Sequence, residues 1–437
     1  MIRALVLAAA CALAPFAVAS PAQAVEIQEV TSPGGLKAWL VEDHSIPFTA
    51  LEVRFRGGTS LDAPGKRGEI NLMTALIEEG AGEMNAQGFA EAAESLAADF
   101  SFDAGSDTVS VSARMLSDNR DQAVDLLREA LVNPRFDQDA LDRVRGQVLS
   151  IIASDSRDPN AIAGNAFAQQ AWGEHPYGSD QNGTAESVSK LTREDMFDAR
   201  ARVLARDRIY VSAVGDITPD QLGKMLDHLL GDLPATGAPM PPRAELKLTG
   251  GTTVVDFDTP QSVVIFGEAG IDMDDPDFFA AYVANQVIGG AGFASRLMEE
   301  VREKRGLTYG IGSYLVPRDL GATWQGGFSS ANEKVAEAIR VTKEEWAKVA
   351  KDGVTDKELE EAKTYLTGAY PLRFDGNGPI ADILVGMQMQ GLPRDYVNTR
   401  NAKVEAVTRE DVARVAKRLL DADALRFVVV GRPVGVK

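Results

Sequence analysis

The sequence predicts an α+β chain of two homologous domains, each a largely antiparallel sheet with helices packed on one face. Three observations carry this prediction. First, the chain repeats itself: Leu191-Thr192-Arg193-Glu194-Asp195-Met196 returns as Val407-Thr408-Arg409-Glu410-Asp411-Val412. Tyr210-Val211-Ser212-Ala213-Val214-Gly215 returns as Arg426-Phe427-Val428-Val429-Val430-Gly431, at the same offset of 216 positions. Second, four prolines and a glycine between Pro234 and Pro242 can continue neither a helix nor a central strand, so they mark a semi-rigid linker. Third, each half runs strands, then helices, then strands, and does not interleave the two kinds.

In chain order, residues 1–24 read as a secretory signal. Arg3 opens it, residues 4–18 are apolar, and Ala22-Gln23-Ala24 offers a small-x-small cleavage point before Val25. The mature chain is thus expected to be periplasmic. No later run reaches about 18 apolar residues, so no stable membrane span is expected.

The first domain is expected over 25–233. Alternation of apolar and polar residues predicts strands over 26–30, 37–42 and 48–56, and helical periodicity predicts helices over 69–79, 86–98 and 120–132. Residues 107–115 alternate again and read as an edge strand to which an extended peptide could add. The linker occupies 234–247 and the second domain 248–437. Strands are expected there over 252–257 and 262–267, and helices over 277–288, 295–304, 333–351 and 356–367. Thr192 and Thr408 are placed to cap the repeated helices, and Thr355 with Glu358 fits a capping box.

Composition excludes several classes. The single cysteine, Cys11, lies in the signal, which removes disulfide and thiolate chemistry from the mature chain. A net charge of −19 argues against nucleic acid as a partner. There is neither a strand followed by GxGxxG nor a nucleophile elbow.

One segment is more specific. Gly289-Gly290-Ala291-Gly292-Phe293-Ala294-Ser295-Arg296-Leu297 runs on to Val301-Arg302-Glu303-Lys304-Arg305-Gly306-Leu307-Thr308-Tyr309. It resembles the second-domain signature of the pitrilysin and mitochondrial-processing-peptidase (insulinase-like) family of zinc metallopeptidases. The duplicated halves and the proline linker agree with that resemblance, which implies a metallohydrolase-like duplicated fold.

Active members carry His-x-x-Glu-His on the first long helix of the first domain. Positions i and i+4 share a helix face, so two imidazoles meet one metal while the Glu polarises its water, and a distal Glu completes the shell. On the matching stretch from Lys66 to Leu76, the histidine positions fall on Asn71 and Ala75 and the base on Thr74, while the distal glutamate falls on Ile151. Alanine and isoleucine have no lone pair for a metal, and Asn and Thr are poor zinc ligands and no bases near neutral pH. His44, His175 and His228 lie far apart in sequence, with His175 before Pro176-Tyr177-Gly178 reading as a turn anchor. No metal and no catalytic residue are therefore expected in this chain, and the resemblance implies zinc in a partner subunit.

Arg302 and Tyr309 match the Arg/Tyr pair that the family uses on the domain opposite the zinc. The resemblance implies that they bind the substrate backbone carbonyl and the charge it develops on cleavage, worth several kcal/mol in a dry site. Gly289, Gly290 and Gly292 are similar to a shortened form of the glycine-rich loop of the non-catalytic processing-peptidase subunit, or form a plain helix C-cap. The implied function is a non-catalytic subunit of a heterodimeric periplasmic zinc endopeptidase. Its partners would be a homologous zinc-bearing subunit and peptide substrates. A peptide-binding or structural scaffold with no part in proteolysis remains the alternative.

Overall fold

A computed structural model describes residues 26–436. The expected signal, 1–24, lies outside the described residues. The first half opens with β1 (Gln28–Thr31), β2 (Lys37–Glu42) and β3 (Phe48–Arg56). It continues through α1 (Glu69–Thr74), the short strands β4 (Gly80–Ala81) and β5 (Met84–Asn85), α2 (Ala86–Ser95), β6 (Asp99–Ala104) and β7 (Thr108–Leu116). Then follow α3 (Arg120–Val132), α4 (Gln138–Asp155), α5 (Pro159–Trp172), α6 (Ala185–Lys190), α7 (Arg193–Val203), β8 (Ile209–Gly215) and α8 (Pro219–Leu230). The second half has β9 (Gly251–Asp256), β10 (Gln261–Ala269), α9 (Phe278–Asn285), β11 (Ile311–Arg318) and β12 (Gly321–Ala331). It closes with α10 (Val335–Asp352), α11 (Asp356–Ala369), α12 (Asn377–Met389), α13 (Tyr396–Glu405), α14 (Arg409–Leu419) and β13 (Arg426–Gly431).

The two sheets repeat one plan. The first has the order β1-β2-β8-β3-β7-β6 and the second β9-β13-β10-β12-β11 when read from the matching end. Each contains a single parallel pair, β2 with β8 and β13 with β9. All other pairings in these two sheets are antiparallel. The repeated sequence motifs do the same work in both. Thr192 and Thr408 each accept a hydrogen bond from the amide three residues on, and Asp195 and Asp411 return the bond, as capping boxes do. Gly215 and Gly431 end the matching strands at φ 128° and 152°. A Cβ at Gly215 would stand 2.2 Å from the Phe48 carbonyl, and one at Gly431 2.2 Å from Ser262 Oγ. Only glycine lets these strand ends press against the neighbouring strand.

Each half has its own core. Leu51, Val53 and Phe55 of β3 pack with Ile70, Leu72 and Met73 of α1, all essentially fully buried. In the second half Phe266 stacks on Phe427 at 5.5 Å and meets Trp346 edge-on at 5.9 Å, and Trp346 meets Trp324 at 5.5 Å. Emptying one such aromatic site costs about 3–5 kcal/mol.

The halves also exchange helices. α5 of the first half lies on β10 and β13 of the second, burying Ala163, Phe167 and Ala171 against Val263, Val428 and Val430. α12 of the second half lies on β3 and β8 of the first, burying Ala381 and Leu384 against Ala50 and Val214. Ser212 Oγ donates to the Ala381 carbonyl at 2.6 Å and Gln388 Nε2 to that of Val211 at 2.7 Å. Each sheet thus carries helices of its own half on one face and a borrowed helix on the other. Residues 234–249, which hold no helix or strand, are tied across the same boundary: the Ala244 amide donates to Leu320 and the Lys247 amide to Ala171.

Several local expectations are corrected. The helix expected over 69–79 stops at Thr74. Beyond it, the Leu76 and Ile77 amides turn back to carbonyls only three residues earlier. Both side chains are fully buried, so this tighter turn tucks them into the first-half core. The segment 107–115 is not an edge: β7 is paired on both sides, by β3 and β6, and β6 is the edge. The helices expected over 277–288 and 295–304 are each partly π-helical, at Gln286–Gly290 and Met298–Glu303.

Candidate functional site

The first-half positions that correspond to a metal site are chemically spent. Asn71, on α1, donates its amide to Asn182 Oδ1 at 3.0 Å. Thr74 is buried, and its hydroxyl donates to the Ile70 carbonyl one turn back at 2.8 Å. Ala75 is the exposed C-cap of α1, and Ile151 stands about half exposed on α4. This donor set does not fit zinc. No group of three or more His, Cys, Asp or Glu placed to hold a metal occurs among the described residues.

The surroundings of α1 are fixed by Arg67. All five guanidinium N–H donors have oxygen partners: the carbonyls of Thr59, Pro176, Ser179 and Asp180, and the Asp62 carboxylate at 2.9 Å. Asp62 in turn accepts from the amides of Gly68 and Ile70, which caps α1. Glu69, fully buried at the start of α1, accepts from the Ala63 amide while its other oxygen has no partner. Burial pushes its carboxyl up to about 7. Glu79 is drawn off by Arg143 of α4.

The histidines are dispersed, as their spacing implies. His44, in the β2–β3 loop, bonds Asp216 at 2.6 Å, and that bond raises its pKa. His228 on α8 bonds Asp125 at 2.6 Å. His175 accepts from the Tyr177 amide and faces the Pro242 carbonyl, so it anchors a turn.

The second-half motif builds an open cavity. Arg302, in the last turn of the π-helical segment, pairs with Glu303 and lies 4.7 Å from the centre of the Phe293 ring. Tyr309 is 86% exposed. Its neighbours are fixed: Leu307 is buried, and the Thr308 hydroxyl donates to the Ser329 carbonyl at 2.6 Å. Arg302 and Tyr309 line one cavity of about 440 Å³ together with Gln261, Thr308, Ser329 and Lys334. A second hollow, of about 410 Å³, continues past Tyr309 to Val263, Phe328 and, from the first half, Asn160.

The glycines divide their roles. Gly289 is buried in the π turn, where a Cβ would meet the Ser313 amide at 2.4 Å, so it lets this turn press on β11. Gly290 closes the turn, and Gly292 (φ 53°) opens the exposed Phe293. Arg296 is structural: it grips Glu358 with two bonds, at 2.6 and 2.7 Å, and so clamps the motif to the capping box at Thr355. The structure brings Arg302 and Tyr309 to one cavity. Asn71, Thr74, Ala75 and Ile151 are not among the residues lining it.

Sequence reasoning missed Phe293, Gln261 and Lys334. Phe293 lies within the quoted motif, between Gly292 and Ala294, but its contact with Arg302 carried no sequence signal. Gln261 and Lys334 come from other elements and carried none.

Comparison with known proteins agrees with this geometry. Residues 37–185 match the family model described as insulinase (peptidase family M16), and residues 190–366 match the one described as the peptidase M16 inactive domain. The chain belongs to the insulinase-like peptidase family M16. It is 28% identical over 397 residues to a Helicobacter pylori protein named non-peptidase homolog YmxG, covering 89% of this chain and 90% of that one. It is also 28% identical over 411 residues to an uncharacterized zinc protease of Mycobacterium tuberculosis, covering 92% of each. The crystal structure of a peptidase M16 inactive domain from Pseudomonas fluorescens superposes with a TM-score of 0.88 at 29% identity, covering 94% of this chain and 99% of the other. The model matched by the second half is the one described as inactive, and positions 71, 74, 75 and 151 of the first half hold no zinc-ligand set.

Proposed function

We propose that this M16 chain is the non-catalytic subunit of a heterodimeric periplasmic zinc endopeptidase. In this reading it forms half of the substrate chamber and presents Arg302 and Tyr309 to a zinc held by a homologous partner. The observation that carries it is a contrast: Asn71, Thr74, Ala75 and Ile151 make up no zinc-ligand set, while Tyr309 stands almost wholly in solvent beside an arginine lining an open cavity. A guanidinium and a phenol so placed can stabilise the charge of a peptide carbonyl under attack. Among the described residues no helix is long and apolar enough to cross a membrane. The test is reconstitution with a homologous subunit that carries His-x-x-Glu-His. Peptide cleavage is expected to need both subunits and to fall about 100-fold with Arg302→Ala or Tyr309→Phe. Zinc analysis is expected to place the metal in the partner alone. Unchanged cleavage with both variants would leave the scaffold reading in its place, and stoichiometric zinc in the isolated chain would overturn both.

A further inference from the structure

A separate cavity, of about 310 Å³, lies away from the Arg302 motif, between α9, α12 and α13. At its inner wall is Arg400, only 5% exposed. A guanidinium this deeply buried normally has a carboxylate against it. Arg400 joins no ion pair with any described residue. Asp382, the one carboxylate in the lining, is paired with Arg54. Arg400 instead donates to the Leu366 carbonyl at 2.7 Å, to Asn401 Oδ1 at 2.9 Å and to Tyr282 Oη at 3.3 Å. These bonds use three of its five N–H donors. The end of α11 contributes only about half a negative charge. The rings of Tyr370 and Tyr282, 4.6 and 5.4 Å from the guanidinium carbon, add a partial offset. Arg373 adds a further positive charge to the lining and Asp382, held by Arg54, a negative one, while Phe279, Met387 and Leu392 give it an apolar stretch.

A cavity with an uncompensated cation at one end and apolar walls at the other is complementary to a small amphipathic anion. We propose that this cavity binds a carboxylate carried on a short aromatic or aliphatic body, with the carboxylate on Arg400. The carboxylate could come from a free organic acid or from the C-terminus of a short peptide. Both present the same group, and α12, which docks the two halves, forms one wall of the site.

Isothermal titration of the full mature chain tests this with hydrocinnamate and with a tripeptide ending in phenylalanine, each beside its neutral carboxamide. At least one acid is expected to bind saturably and its amide about tenfold or more weakly, as for a lost charge-assisted bond; the tighter of the two acids names the source. Gly386 lies in the wall, and a Cβ there meets no atom within 4 Å. Gly386→Phe is therefore expected to fold normally, fill the space and abolish binding. Arg400→Gln should weaken it about tenfold or more. Binding that survives Gly386→Phe, equal binding of acid and amide, or no binding of either acid overturns the proposal, and Gly386→Phe decides even if Arg400→Gln fails to fold.

Discussion

The segment after β3 in the first half and the segment after β10 in the second follow corresponding strands of the same sheet plan, yet they treat their polar groups in opposite ways. Around α1 most polar side chains turn inward: Arg67 spends all five donors inside the protein, Asp62 caps the helix, and Asn71 and Thr74 bond to neighbours, with one oxygen of buried Glu69 left over. After α9 the chain spends its interior bonds on Arg296 and Thr308 and leaves Arg302 and Tyr309 on the cavity wall. A shared backbone plan thus holds one region specialised for stability and another whose side chains are free to meet a partner.

That comparison breaks if the two arginines behave alike. Arg67→Ala is expected to have the largest effect, about 3–5 kcal/mol lost in urea unfolding, because it strands Asp62 as a buried carboxylate without its counter-charge. The loss should appear in one cooperative transition, since α5 and α12 tie the halves together.

A pH titration of stability sharpens the contrast further. The folded-state value of Glu69 stands at about 7, above its ordinary 4.5, so the native state favours the protonated form. Its burial costs nothing extra below pH 4.5, destabilises progressively as pH rises toward about 7, and is constant above that. Glu69→Gln should therefore gain about 1–3 kcal/mol on the wild type between acid and neutral pH. A difference between the two proteins that stays flat with pH would show that Glu69 titrates alike in the folded and unfolded chains.

The smallest effect is expected from Arg302→Ala and Tyr309→Ala, each within about 0.5 kcal/mol of wild-type stability, because both act at the surface. A large loss in either would make the second region structural too, and would remove the ground for assigning the pair to a partner's substrate.

Much of this was legible in the chain. The constant offset between Thr192 and Thr408 announced the duplication, because a cap and a following strand depend on local chemistry that a sequence displays directly. The blank metal positions were legible for the same reason: alanine and isoleucine lack lone pairs in any fold. Less visible were β6, whose short alternation follows directly on the helical pattern of α2, and the inner place of β7, since alternation does not say whether a strand has one neighbour or two.

The sequence alone determined the two-fold plan, the family and the absence of a metal donor set, all properties of residue type and short-range spacing. Only the tertiary structure decided that α5 and α12 change places, that Arg302 stacks on Phe293, and that Arg400 lies buried without a carboxylate. Those facts depend on which distant surfaces meet, and the free energy of burying them is settled between residues up to hundreds of positions apart.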